Sequence, residues 1–128
     1  MKVPADLKYT KSHEWTKVTD DGIIVGITDY AQSEMGDIVF ADLPQVGAEY
    51  KKGESMAVIE SVKAVSDIYA PVGGTIIEVN EALVDSPELI NEDCYGEGWL
   101  LKLSPHSQAE LDELLSPEEY EELLENEG

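Results

Sequence analysis

From His13 to Leu103 the apolar positions fall in short, β-branched runs broken every few residues by Gly, Pro, Asp or Asn. This is the pattern of an all-β sandwich or barrel. Strands are expected over 14–18, 23–27, 37–42, 55–60, 65–69, 75–79 and 99–103. One interruption has helical spacing: Tyr30, Ala31 and Met35 share a face behind a Thr28 or Asp29 cap, which predicts a short helix between Thr28 and Met35. Ser86-Pro87-Glu88 marks a second helix start, with Pro at the first helical position. Two runs, Gly22 to Thr28 and Gly74 to Asn80, share a leading Gly, an apolar stretch and a polar exit, which suggests a pseudo-two-fold sandwich.

After Pro105 the pattern changes to helix formers. Ser107 with Glu110, and Ser116-Pro117 with Glu119, have capping-box spacing, and Leu111, Leu114, Leu115, Tyr120, Leu123 and Leu124 supply an apolar stripe. Two short helices are therefore expected to pack on the sandwich. With 128 residues the chain is read as one domain, a β-sandwich core over about 7–103 and a helical tail over about 107–125.

Charge narrows the choice of partners. Eight Lys, no Arg and 28 acidic residues give a net charge of -20. Such a surface is a poor ligand for nucleic acid, whose phosphates need clustered cations, and for an anionic membrane. The expected partners present positive or neutral faces. The tail carries nine acidic residues and no basic one from Ser107 onward, most simply a solvated face.

Other chemistry is sparse. Cys94 is the only cysteine, and His13 and His106 are far apart, so neither an intrachain disulfide nor a metal site is expected. No phosphate-cradling glycine loop and no Ser-His-Asp order stands out. The first residues have neither an apolar h-region nor a basic amphipathic pattern, and no run is long enough to span a membrane, so the cytoplasm is the expected compartment.

The segment from Met56 to Pro71 sets two strand-like runs on either side of a lysine, which places Lys63 at the tip of a tight hairpin. A lysine in such a turn is ordinarily just a solvated charge. Here Val62, Ala64 and Val65 crowd it, where a turn built only for solubility more often uses Asn, Asp and Gly. A tip lysine is also what a swinging arm requires: acylation removes its charge and makes a long tether whose root the sheet holds still.

Glu60-Ser61-Val62-Lys63-Ala64 followed by Ser66-Asp67-Ile68-Tyr69-Ala70-Pro71 resembles the lipoylation segment of glycine cleavage system H proteins. The blocks Tyr9 to Trp15, Gly26 to Gln32, Gly36 to Phe40, Leu43-Pro44, Pro87 to Asn91 and Gly96 to Trp99 agree with it, so the resemblance runs from about Leu7 to Leu103. Biotin carrier domains usually set Met on both sides of the lysine. Lipoyl domains of 2-oxoacid dehydrogenases usually set Asp before it and continue into a Pro/Ala-rich linker, so both fit less well. A cofactor-free interaction module, and an H-like donor of lipoate to other enzymes, remain open at this stage.

The resemblance implies a mainly β fold, a barrel-sandwich hybrid of two antiparallel sheets with short helices and a C-terminal helical segment. It implies lipoate bound covalently to Lys63 and a shuttle with no catalytic residues of its own. Such a shuttle takes the aminomethyl group of glycine from a pyridoxal-phosphate glycine decarboxylase to a tetrahydrofolate-dependent aminomethyltransferase. A dihydrolipoamide dehydrogenase reoxidises it, and a lipoate-attaching enzyme loads the lysine. By motif position Ser12, Glu14 and Asp67 would line the cleft that shelters the arm, and Glu60 and Gly74 would be recognised during lipoylation. The plainer readings are that Ser12 shapes a turn, that the carboxylates are solvated, and that Gly74 serves a turn needing positive φ. His13 and Trp15 are assigned to packing.

Overall fold

The structure, a computed structural model, describes residues 2–127. In chain order the elements are β1 Lys8–Tyr9, β2 Glu14–Val18, β3 Ile23–Ile27, α1 Asp29–Met35, β4 Ile38–Asp42, β5 Glu49–Tyr50, β6 Ser55–Ser61, β7 Val65–Tyr69, β8 Gly74–Val79, α2 Ala82–Asp85, α3 Leu89–Glu92, β9 Leu101–Pro105, α4 Gln108–Asp112 and α5 Pro117–Glu127. They form a six-stranded sheet in the order β1-β2-β3-β9-β8-β5 and a three-stranded sheet β4-β6-β7, with every pairing antiparallel.

Alternation along the strands explains how the sheets meet. Ile23, Val25 and Ile27 of β3 point to one side with Ile76, Leu101 and Leu103, and face Ile38, Ala57, Ile59 and Ile68 of the smaller sheet across a shared core. Ile24 points the other way, into a second cluster built on Leu7, Tyr9, Trp15 and Tyr120. Helix α5 covers that outer face: Tyr120 stacks on Tyr9 with ring centroids 4.7 Å apart, and Trp15 Nε1 donates to the Cys94 carbonyl at 2.9 Å. The reciprocal bonds Ser116 N to Glu119 Oε1, 2.9 Å, and Glu119 N to Ser116 Oγ, 3.1 Å, start α5 as a capping box.

Several expectations are corrected. Ser107 makes no side-chain cap, and Glu110 instead accepts from Gly73 N at 2.8 Å, tying α4 to the turn before β8. The last strand runs from Leu101 and not from Trp99, because Asn80 Nδ2 holds the Glu97 and Trp99 carbonyls in a loop, at 2.8 and 2.7 Å. Regular α-helix after Ser86 begins only at Leu89, preceded by a turn, and α2 was not foreseen. The two Gly-led runs do not sit in opposite halves: β3 and β8 lie in the same sheet, on either side of β9. Gly74 has no positive φ; a Cβ there would strike the Ser104 carbonyl, so its smallness serves the close approach of β9.

Candidate functional site

Lys63 stands exposed at the tip between β6 and β7. The tip is fixed by one buried hydroxyl: Ser61 Oγ accepts from Ala64 N at 3.0 Å and Lys63 N at 3.3 Å, while Ser61 N donates to the Ala64 carbonyl at 2.8 Å. It is braced from outside as well, since Val62 N donates to the Asp37 carbonyl at 3.1 Å. The corner that offers this carbonyl is itself clamped by Asn91 of α3, which donates to the Gly36 carbonyl and accepts from Ile38 N, both at 2.8 Å. Gly36 has φ +77°, and a Cβ on it would come 3.5 Å from Lys63 Cε, so the lysine stem lies over a residue that favours glycine.

A second feature begins at Glu14, the first residue of β2 and only 1% exposed. Its Oε1 accepts from Thr10 Oγ1 at 2.5 Å and Ser12 Oγ at 2.6 Å; its Oε2 accepts only a long bond, 3.3 Å, from Tyr69 N on β7. Oε2 therefore keeps acceptor capacity. Burial pushes the Glu14 carboxyl above its ordinary value, and the Ser12, Thr10 and Tyr69 donors with nearby His13 pull it partly back. Glu14 lines a cleft of about 530 Å³ with Thr10, Ser12, Tyr69, Pro71 and Leu115 among its walls. At one rim Lys52 Nζ and Glu113 Oε1 form a 2.8 Å ion pair.

The sequence-derived residues are thus distributed unevenly. Ser12 and Glu14 meet in the cleft. Asp67 does not line it: it is exposed on β7, two residues before Tyr69, accepting from Ser55 Oγ at 2.8 Å. Glu60 is half-buried opposite Phe40 and Val65, and Gly74 opens β8 against Pro105. Thr10 and Tyr69 were not singled out beforehand; Thr10 reaches Glu14 because the turn from Thr10 to His13 folds it back, with His13 N donating to the Thr10 carbonyl at 3.2 Å. His13 has the one positive φ among described non-glycine residues, +70°. Its Nδ1 lies 2.8 Å from Tyr120 Oη, which lies 2.7 Å from Thr28 Oγ1, the N-cap of α1. Cys94 is buried and its thiol is pushed up to about 12, chiefly by that burial. No group of His, Cys, Asp and Glu able to hold a metal occurs among the described residues.

The family model described as glycine cleavage H-protein matches residues 7–127. This chain belongs to that family. A glycine cleavage system H protein of Carboxydothermus hydrogenoformans is 60% identical over 126 residues, 98% of this chain and 97% of its own length. One from Thermus thermophilus is 56% identical over 128 residues, 100% of both chains. The crystal structure of an H protein from Mycobacterium marinum matches with TM-score 0.88 at 43% identity, over 96% of this chain and 99% of that one. As an H-protein the chain is a non-catalytic lipoyl carrier of the glycine cleavage system, holds lipoate covalently on a lysine, and works with the other components of that system.

The residues present suit such a group. The tip offers an exposed amine on a rigid root, and the cleft wall at Tyr69 lies four residues beyond Val65 along β7, about 13 Å at the rise of a strand.

Proposed function

We propose that Lys63 is the attachment lysine, that the Glu14 cleft shelters the loaded arm, and that the carrier serves glycine decarboxylase, aminomethyltransferase and dihydrolipoamide dehydrogenase after loading by a lipoate-attaching enzyme. The observation that carries this reading is the tip itself, where Ser61, Asp37 and Asn91 hold an exposed lysine above a glycine floor. Bound there, lipoate supplies a disulfide on a long tether that accepts the aminomethyl group of glycine and hands it on. The chain's own part is to hold the root still and to offer the cargo's ammonium a carboxylate away from water. Glu14 is that carboxylate, with Thr10 and Ser12 holding its orientation, and Asp67 stands along β7 between tip and cleft, where it attracts a cationic arm on its way in. Glu60, half-buried beside the tip, belongs to the surface recognised in lipoylation, whereas Gly74 is buried against β9 and acts on that surface only by setting the backbone there. The cytoplasm is the compartment that fits this reading; no helix among the described residues is long and apolar enough to cross a membrane.

The deciding experiment is intact-mass and peptide mapping of protein from a host that lipoylates its own proteins. The lipoyl group is expected on Lys63 and absent from Lys63→Arg, whose guanidinium keeps the charge but forms no such amide. A lipoyl group on any of the other seven lysines overturns the assignment.

A further inference from the structure

The outer face of the β4-β6-β7 sheet carries an apolar patch for which the core has no use. Among the described residues, five of the eight exposed large hydrophobic side chains, Val39, Phe40, Val62, Val65 and Tyr69, belong to this sheet and its tip. Phe40 is the only Phe of the chain and is 50% exposed; Val65 is 67% and Val62 76% exposed. Cross-strand register aligns Phe40, Glu60 and Val65 in one row, with Asp42, Val58 and Asp67 in the next, so both rows share a face. An aromatic and several valines set among three carboxylates form a contact surface for a partner with an apolar recess and a basic rim.

The chemistry at Lys63 selects the occupant. Enzymes that handle the cargo meet the far end of a tether and can work away from its root. The enzyme that makes the amide cannot: as the C–N bond forms, the bond from the acyl carbon to its activating group breaks and a proton leaves Nζ. That acyl carbon must start within about 3 to 3.5 Å of Nζ. Its protein surface therefore lies against the tip, where Glu60 and Val65 are a cross-strand pair and Phe40 is one strand spacing further, about 4.8 Å.

We propose that the Phe40–Glu60–Val65 row is the docking surface for the lipoate-attaching enzyme, with Phe40 entering an apolar recess rimmed by Lys or Arg. The proposal rests on Lys63 being the attachment site. It is tested on the unlipoylated full chain with a lipoate ligase, lipoate and ATP, following product by intact mass. Phe40→Ser is expected to raise KM for the carrier about ten-fold or more, the size of a hot-spot loss, with kcat within about two-fold. Phe40→Leu restores most of the affinity, Val65→Ser weakens it independently, and Val46→Ser and Val84→Ser, exposed valines elsewhere, change nothing. Thermal midpoints report whether each variant is folded. A wild-type KM for folded Phe40→Ser and Val65→Ser overturns the docking surface and leaves Lys63 standing, even if another component of the system then binds more weakly. A peptide map of the wild-type product with the lipoyl group elsewhere overturns both.

Discussion

At the scale of single residues, Glu14 carries the most testable physics. Burial raises its carboxyl above the ordinary 4.5, so the folded chain binds that proton more tightly than the unfolded chain does. Its contribution to stability is full below pH 4.5 and is lost as pH rises through the raised value. Glu14→Gln removes this titration while keeping an oxygen for the Thr10 and Ser12 hydroxyls. The variant is therefore expected to gain thermal stability relative to wild type as pH rises from below 4.5 toward neutrality, then to hold a constant difference; parallel melting curves across that range would contradict it. The same change removes the charge offered to the cargo. Partial burial makes an ammonium-carboxylate pair worth about 1 to 3 kcal/mol, against about 0 to 1 in open solvent. Lipoylation of Glu14→Gln should stay near normal while ammonia escapes from the loaded carrier several-fold faster, measured by its release in the absence of the transferase. Wild-type release would return Glu14 to a purely structural role.

At the scale of elements, α5 depends on its start. Both bonds of the Ser116–Glu119 box are present, and the helix holds Tyr120 against Tyr9. Ser116→Ala should cost about 1 kcal/mol, seen as a lower denaturant midpoint with unchanged slope. No change would show that Tyr120 packing alone sets the helix. That box was legible because its residues are local. The similar spacing at Ser107 misled because Glu110 found a better use, a bond to Gly73 that is distant in sequence and invisible to spacing. Glu14–Val18, Ile23–Ile27 and Val65–Tyr69 were legible to the residue and β4, β6 and β8 to within one, whereas β9 begins two residues late and β1 and β5, two residues each, are too short to show a period. The hairpin lysine was legible for the same local reason. The bracing by Asn91 was not, and neither was the place of Asp67, because both are settled by which strand lies beside which.

At the scale of the molecule, the -20 charge acts over a distance set by salt. Association with the decarboxylase is expected to slow as ionic strength rises from about 0.01 to 0.15 M, where the screening length shrinks from about 30 to 8 Å, with dissociation changing far less. Stopped-flow rates that stay flat over that range would assign the acidic surface to solubility alone. The Lys52–Glu113 pair and the Asp21–Lys102–Glu78 cluster tie up two of the eight lysines locally and leave the net charge at -20, so the long-range field stays strongly negative.

The stacking of Tyr120 on Tyr9 also has a meaning in time. A ribosome adds about 5 to 20 residues each second, so Tyr9 and Trp15 emerge roughly 5 to 20 s before the ring that completes their cluster. The hairpin bearing Lys63 needs only nearby strands and can close early, while the outer face of the larger sheet waits uncovered for α5. During synthesis the strands that flank the lysine tip can therefore pair before the chain has finished hiding its own aromatic rings.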